Sequence, residues 1–140
     1  MSVGEEVTGE IDRGLLLFTG FGSGDDDSVL SPMARKICGL RVFEDDAGRF
    51  QYSVNEIEGG LLAVPQFTLY GDTRKGRRPD FTGALHPDRA AALFDRFVEV
   101  LSSRAGGRVA TGRFGAHMEV RLVNDGPVTL MLEREPEAPG

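Results

Sequence analysis

The sequence is poor in cysteine and has no long apolar run. Its single cysteine, Cys38, excludes an internal disulfide framework and a cysteine-rich zinc site, and it indicates a reducing compartment. Apolar runs such as residues 15–18 and 61–64 are far shorter than the roughly 20 residues that span a bilayer. The N-terminus shows no basic region followed by an apolar one, which a secretory signal requires. We therefore expect a cytoplasmic protein that makes no membrane contact.

Positive charge and histidine are also scarce. Sixteen Lys and Arg against 22 Asp and Glu leave a net charge of −6, so any contact with nucleic acid must use a local basic patch. The two histidines, His86 and His117, lack the spacing of a metal site, and the motifs H-E-x-x-H, C-x-x-C and G-x-S-x-G are absent. We expect no metal and no cofactor, and we place both histidines on the surface or in loops. If the chain is an enzyme, backbone groups or the substrate must supply much of the catalysis.

Length and hydrophobic periodicity predict one mixed α/β domain. The 140 residues fit a single core. A helix is expected to end near Gly39, with Ser31 as its N-cap, Pro32 in its first turn and Cys38 on its buried apolar stripe. A second helix is expected to begin at Pro87 and to run to about Ser103. Strands are predicted over residues 14–19 (buried on both faces), 40–43, 50–54, 61–69, 118–122 and 128–132.

These elements predict a β-rich core with two helices. The domain is expected to cover residues 1–133, followed by a mobile acidic tail over residues 134–140. Residues 20–27 are rich in glycine but are interpreted as a plain loop, because their three aspartates would repel phosphate. Pro65 interrupts the strand predicted over residues 61–69. Since proline cannot donate to a ladder, it marks an edge, a bulge or a feature of a site.

Two segments could carry chemistry. In residues 65–81, four cations follow an apolar strand that ends in Gln66 and Thr68. A solvated basic loop and a phosphate-binding loop beside a small polar pocket are both open interpretations. The second segment, residues 124–129, is by itself only a turn. The four cations are Arg74, Lys75, Arg77 and Arg78.

Taken together, the two segments resemble the D-aminoacyl-tRNA deacylase family. Gln-Phe-Thr-Leu at residues 66–69 and Asn-x-Gly-Pro-Val-Thr at residues 124–129 are the strongest parts of a resemblance that extends from about Val3 to Leu132. It implies a homodimer that hydrolyses the ester joining a D-amino acid, or glycine, to the 3′-terminal adenosine of tRNA. It also implies that the peptide bond between Gly126 and Pro127 is cis. In that form the loop enters the partner subunit's pocket, grips the α-ammonium group and excludes L side chains by shape.

The resemblance assigns further roles at the ester. Gln66, Phe67 and Thr68 line this end of the pocket, and the backbone N–H groups around Phe67 and Thr68 stabilise the oxyanion while the adenosine's 2′-hydroxyl assists the attacking water. Thr68 is not expected to act as a nucleophile, because no base is placed to activate it. The four cations hold the acceptor end of the tRNA. Phe81 and Met118 are interpreted as core residues ahead of pocket-lining ones.

Two departures from the family pattern leave alternatives open. Family members typically begin with an extra strand that carries Gln-Arg-Val, which is not present before Val3. Either the true start lies upstream, or this is a shortened paralogue, in which case the loss of the strand is expected to expose a strand edge. Pro65 stands where the family usually has Ser, so the pocket is similar to that of an animal deacylase that accepts L-alanyl-tRNA. The alternatives are therefore a relaxed deacylase that acts on L-alanyl-tRNA and a non-catalytic nucleic-acid-binding paralogue. DNA is not an expected partner.

Overall fold

The computed structural model describes residues 1–136, so residues 137–140 of the predicted tail lie outside the described residues. Residues 134–136 have no regular secondary structure. In chain order, the described residues contain the elements β1 (Ser2–Val3), β2 (Glu6–Val7), β3 (Gly14–Thr19), α1 (Leu30–Gly39), β4 (Phe43–Glu44), β5 (Phe50–Tyr52), β6 (Gly60–Pro65), α2 (Pro87–Arg104) and β7 (Val109–Thr111).

A parallel three-stranded sheet in the order β3–β6–β7 forms the centre of the fold. β6 is the central strand and is buried from Gly60 to Val64. β3 lies at the edge and is mostly half-buried, so the prediction of a strand there is confirmed but its burial on both faces is wrong. β3 and β6 have similar apolar runs. β6 becomes the buried strand because it pairs with a strand on each side, whereas β3 pairs on one side only within the described residues.

The two helices pack against each other and against one face of the sheet. Because strand side chains alternate, Leu61 and Ala63 join the large cluster beneath the helices, whereas Leu62 and Val64 join a smaller cluster on the opposite face. α2 begins at Pro87 as predicted and ends one residue later than expected. Neither helix in the described part of the chain is long and apolar enough to cross a membrane.

The start of α1 differs from the prediction. Pro32 lies in the first turn as expected, but Ser31 is not the N-cap, since the helix already begins at Leu30. A 3-10 turn over Asp27–Val29 leads directly into the helix, and the Asp26 side chain caps that turn by accepting from Ser28 N. The capping function therefore falls on an aspartate five residues before the predicted position.

Several predicted strands are shorter than expected or absent. β4 and β5 pair only over their two and three residues, around the turn at residues 45–48. Residues 118–122 and 128–132 form no strand, and their one ladder contact among the described residues is the bridge between Ser2 and Glu119. A strand needs a neighbour to pair its backbone N–H and C=O groups, and within residues 1–136 this segment has that pairing only at the Ser2 bridge. β7 was not predicted, because three residues are too few to show alternation.

Candidate active site

The candidate site lies where the central strand ends. β7 pairs with β6 only as far as Ala63, and the last pair on the other side joins Pro65 to Thr19. Gln66 still donates its N–H to Thr19 O at 2.8 Å, and the chain then turns into a 3-10 helix over Phe67–Tyr70. The strand predicted over residues 61–69 is therefore wrong beyond Pro65. Pro65 is neither on an edge strand nor in a bulge, but terminates β6 directly before the candidate site.

The turn over residues 66–70, called the site turn below, presents backbone donors to solvent. Gln66 Nε2 donates to Thr68 Oγ1 at 2.8 Å, which fixes the two side chains relative to each other. The N–H groups of Phe67 and Thr68 donate to no acceptor within residues 1–136, while Leu69 N–H and Gly71 N–H donate to Gln66 O and Thr68 O. Two adjacent backbone N–H groups without intramolecular partners can bind an oxyanion.

An aromatic pair flanks the site turn. The ring of Phe67 is 57% exposed and meets the ring of Phe81 edge-on, with the centroids 4.9 Å apart. Phe81 is half-buried and belongs to neither hydrophobic cluster, so its interpretation as a core residue is wrong. Met118 packs against the smaller cluster, as a core residue would. Phe81 thus forms part of the wall beside the turn.

A loop that carries the four cations begins and ends beside the site turn. Asp72 and Asp80 pair through two backbone hydrogen bonds of 2.7 and 2.9 Å, which close the loop directly after the turn and directly before Phe81. Arg74 bonds to Asp72 through both Nε and Nη2, and these hydrogen bonds lower the pKa of the Asp72 carboxyl. The other three cations are exposed and have no ion-pair partner in the described chain; they are Lys75, Arg77 and Arg78.

The second predicted segment forms an exposed loop. The peptide bond between Gly126 and Pro127 is cis, as the resemblance implies. Asn124 closes the loop on itself, because its Oδ1 accepts from Val128 N at 3.2 Å and its Nδ2 donates to Thr129 Oγ1 at 2.8 Å. Among residues 1–136, no hydrogen bond, ion pair or ring contact joins this loop to the site turn. The contacts of one chain therefore do not bring the two motifs together.

Among residues 1–136, no hydrogen bond, ion pair or ring contact joins the remaining predicted residues to the site turn. His86 is the exposed N-cap of α2, and its Nδ1 accepts from Asp88 N. His117 is exposed, so the surface or loop assignment of both histidines is confirmed. Cys38 is buried between the helices, and this burial raises the pKa of its thiol. Within the described residues, no three His, Cys, Asp or Glu side chains are grouped as metal ligands.

The loop over residues 20–25 packs against the site turn, which its interpretation as a plain loop does not predict. A Cβ on Gly20 would lie 2.9 Å from Gln66 O, and one on Gly22 would lie 2.6 Å from the ring of Tyr70. Both glycines are thus needed for close backbone approach, a role that glycine alone fills without a clash. The glycines within residues 20–27 were the available signal, but this stretch was interpreted as a plain loop.

The chain is similar to known proteins over nearly its whole length. The profile of the family described as D-Tyr-tRNA(Tyr) deacylase matches residues 1–133. The chain belongs to this family. A D-aminoacyl-tRNA deacylase from Thermotoga petrophila is 52% identical over 131 residues, which are 94% of this chain and 87% of that protein. A D-aminoacyl-tRNA deacylase from Sorangium cellulosum is 52% identical over 134 residues, which are 95% and 89% of the two chains.

The fold also matches a solved structure. The protein named "c-Myc DNA Unwinding Element Binding Protein" is 38% identical and superposes with a TM-score of 0.87, over 95% of this chain and 90% of that chain. The predicted mixed α/β fold of the deacylase type is therefore confirmed. This likeness and the family match together cover both motifs that the sequence analysis selected.

Proposed function

We propose that this member of the deacylase family hydrolyses the ester bond of D-aminoacyl-tRNA and so returns free tRNA. The observation that carries this conclusion is 52% identity, over nearly the whole chain, to bacterial proteins named D-aminoacyl-tRNA deacylase. The match to the family covers residues 66–69 and residues 124–129. Because charged tRNA is the substrate and the single thiol suits a reducing compartment, we place the enzyme in the cytoplasm.

The site turn is the proposed catalytic element. Phe67 N–H and Thr68 N–H would hold the oxyanion that forms when water attacks the ester carbonyl, and each such donor is worth roughly 2.7–4 kcal/mol in other enzymes. Gln66 supports Thr68 through the bond between their side chains. Pro65 places this turn at the end of the buried central strand. A rigid strand behind the donors keeps them in position before the substrate arrives.

The substrate is proposed to supply the group that activates water. The side chains of the site turn offer an amide, two hydroxyls and apolar groups, but neither an imidazole nor a carboxylate. The Thr68 hydroxyl is bonded to the Gln66 amide, which is not a base. The 2′-hydroxyl of the terminal adenosine is adjacent to the ester and can orient the attacking water. Catalysis then depends on the backbone of the protein and the ribose of the RNA.

Chirality is proposed to be tested by Gly126 and Pro127 from a second subunit. Their loop is exposed, yet Asn124 holds it through two side-chain hydrogen bonds, so it is a fixed projection. A projection of fixed shape can bind the α-ammonium group and leave no room for an L side chain. Glycine has no side chain, so glycyl-tRNA passes the same filter.

A homodimer is proposed because the C-terminal segment leaves apolar side chains in water. Val123 is 92% exposed and Met131 is 85% exposed, and Leu122, Leu130 and Leu132 are also exposed. Single exposed apolar residues are common, but a group of them within one short segment indicates an interface. The same segment carries the strand-like patterns that find no partner within the described chain. A second copy would pair these residues and carry Gly126 and Pro127 into a neighbouring site.

The four cations are proposed to bind the phosphates of the tRNA acceptor end. Their loop starts and ends beside the site turn, so RNA bound there would place its 3′ end next to Phe67. Arg74 is bonded to Asp72, whereas Lys75, Arg77 and Arg78 are available for phosphate contacts. Since a solved relative at 38% identity is named for binding a DNA element, duplex DNA belongs in the test as a competitor.

The test is to incubate the purified protein with D-tyrosyl-, glycyl- and L-alanyl-tRNA and to measure the release of each amino acid. Release of the D and glycine esters alone supports the proposal. Release of L-alanine supports the relaxed deacylase that Pro65 suggests, and the Pro65→Ser variant should then lose that activity. Binding of tRNA or duplex DNA without any release supports the non-catalytic alternative and overturns the proposed function.

A further inference from the structure

Asp25 is a buried carboxylate that the site described above does not use. It is 7% exposed, and Ser53 is the only other polar residue buried to this degree among those described. Its Oδ2 accepts from Gly22 N at 2.7 Å, while its own N–H donates to Gly22 O at 3.0 Å. This pair of hydrogen bonds closes residues 22–25 into a tight turn. The conformation of Gly22 therefore depends on the Asp25 side chain.

Gly22 in turn contacts the end of the site turn. The ring of Tyr70, the last residue of the 3-10 helix, lies so close to the Gly22 backbone that a Cβ there would be 2.6 Å from the ring. Two residues earlier, the backbone of Gly20 lies against Gln66 O and the side chain of Leu69. The loop over residues 20–25 thus supports the site turn at its beginning and at its end.

The other side of this loop is held by the segment that precedes α2. Ser23 N–H donates to Gly83 O at 2.8 Å, and Leu85 N–H donates to Phe21 O at 3.0 Å. The loop therefore has a fixed support behind it and the site turn in front of it. A change in the 22–25 turn would alter the surface on which Tyr70 packs.

We propose that Asp25 is a positioning residue for the deacylation site: by fixing Gly22 it holds Tyr70, and with it the backbone N–H groups of Phe67 and Thr68, in the orientation that binds the oxyanion. This inference rests on the proposed function. Burial raises the pKa of Asp25, so its charged form is disfavoured by desolvation. An asparagine would accept the same hydrogen bond without that cost, which provides a conservative variant.

The first experiment compares Asp25→Ala, Asp25→Asn and a matched control on a short substrate, the 3′ ester of D-tyrosine with adenosine. Asp45 is the control, because it also accepts backbone hydrogen bonds in a tight turn, from Ala47 N and Arg49 N, and belongs to the exposed β4–β5 turn. We expect Asp25→Ala to lower kcat about tenfold with KM within about twofold, since small displacements of catalytic groups have effects of this order. Asp25→Asn should recover most of the loss, and Asp45→Ala should leave kcat unchanged.

Thermal unfolding of each variant separates positioning from stability. If Asp25→Ala and Asp45→Ala lower the melting temperature alike and lower kcat alike, Asp25 has no special role. An unchanged kcat in Asp25→Ala also overturns the inference. The double variant Asp25→Ala/Tyr70→Ala should be no slower than the slower single variant, because both changes release the same turn. If the double variant instead loses kcat by the product of the two single effects, Asp25 does not act through Tyr70.

A titration tests the contact without any activity. The chain has two tyrosines, so Tyr52→Phe leaves Tyr70 as the only phenol that absorbs on ionisation. Burial raises the pKa of Tyr70, and the nearby charges of Asp25 and Glu133 raise it further. Asp25→Ala should lower this pKa and Asp45→Ala should not; an unchanged titration overturns the inference. If the wild-type protein releases no amino acid but Asp25→Ala still lowers the pKa of Tyr70, the proposed function is wrong. The contact between the 22–25 turn and Tyr70 is then still supported.

Discussion

The two halves of the candidate site are held in place by different means. The site turn follows the most buried strand of the fold and packs against the loop over residues 20–25. Within residues 1–136, the hydrogen bonds that close the Gly126–Pro127 loop come from the Asn124 side chain, and the surrounding segment has no regular secondary structure. The position of the site turn is therefore fixed by contacts within its own chain. The Gly126–Pro127 loop has a fixed local shape, but no hydrogen bond within residues 1–136 fixes its position relative to the site turn.

This difference is the one that the proposed homodimer would resolve. A turn at the end of a packed strand can present oxyanion donors without further support. In the proposed function, the loop that excludes one enantiomer approaches the substrate from the opposite side, and no hydrogen bond within residues 1–136 holds it there. The exposed apolar residues of the segment that carries this loop are the surface through which the proposed partner subunit would fix it.

The largest expected effect comes from creating a cavity in the large core cluster that includes β6 side chains. Leu101 is fully buried between α2 and the sheet. Leu101→Ala should lower the free energy of unfolding by about 3 kcal/mol, because it removes buried contacts and leaves a cavity. Urea unfolding measures this, with the exposed Val7→Ala as the control that should change stability by less than about 0.5 kcal/mol. Equal losses in both variants would mean that the helical face is not the main core.

The second prediction concerns the dimer on which the other half depends. Met131→Asp should weaken self-association by about 100-fold, since an interface would bury an unpaired charge, and leave the unfolding of the monomer unchanged. Sedimentation velocity measures the association, and activity should fall with the fraction of dimer. Phe50→Asp is the control, because it places the same charge at an exposed apolar residue of β5. A wild-type protein that is monomeric and fully active would refute the dimer.

The third prediction tests whether the filter needs its fixed shape. Asn124→Ala removes both side-chain hydrogen bonds that close the loop. Discrimination between D-tyrosyl- and L-tyrosyl-adenosine should fall about 30-fold, the effect expected from losing two bonds of roughly 1 kcal/mol each. The D ester should still be hydrolysed. Asp125→Ala is the neighbouring control; if it reduces discrimination to the same extent, the loop acts through its charge and not through its shape.

The smallest effect is expected at the basic loop. Arg77→Ala should raise KM for charged tRNA about threefold and flatten its dependence on salt, because one phosphate contact is lost. Hydrolysis of the short aminoacyl-adenosine ester should not change. Arg41, an exposed cation outside this loop, provides the control. Equal losses on the long and the short substrate would show that the loop supports the structure of the site turn instead of binding RNA.

The same comparison shows what the sequence could and could not predict. α2 was predicted almost to the residue, because Pro87 marks its start and its apolar stripe repeats at helical spacing. Likewise, the motifs at residues 66–69 and 124–129 identified the family from local residues alone. The strands predicted at residues 118–122 and 128–132 do not form, because a strand depends on a partner that period-two alternation cannot reveal. The role of residues 20–25 depends on contacts with residues about 45 positions away and is invisible to a local pattern.

The backbone bridge between Asp72 and Asp80 separates the basic loop from the packed body of the fold. Because these two hydrogen bonds fix both ends, the residues between them can gain, lose or exchange charges without moving the strands or the site turn. If the loop binds tRNA as proposed, preference for one tRNA over another can diverge, or be grafted from a homologue, at a place where mutations have little effect on folding.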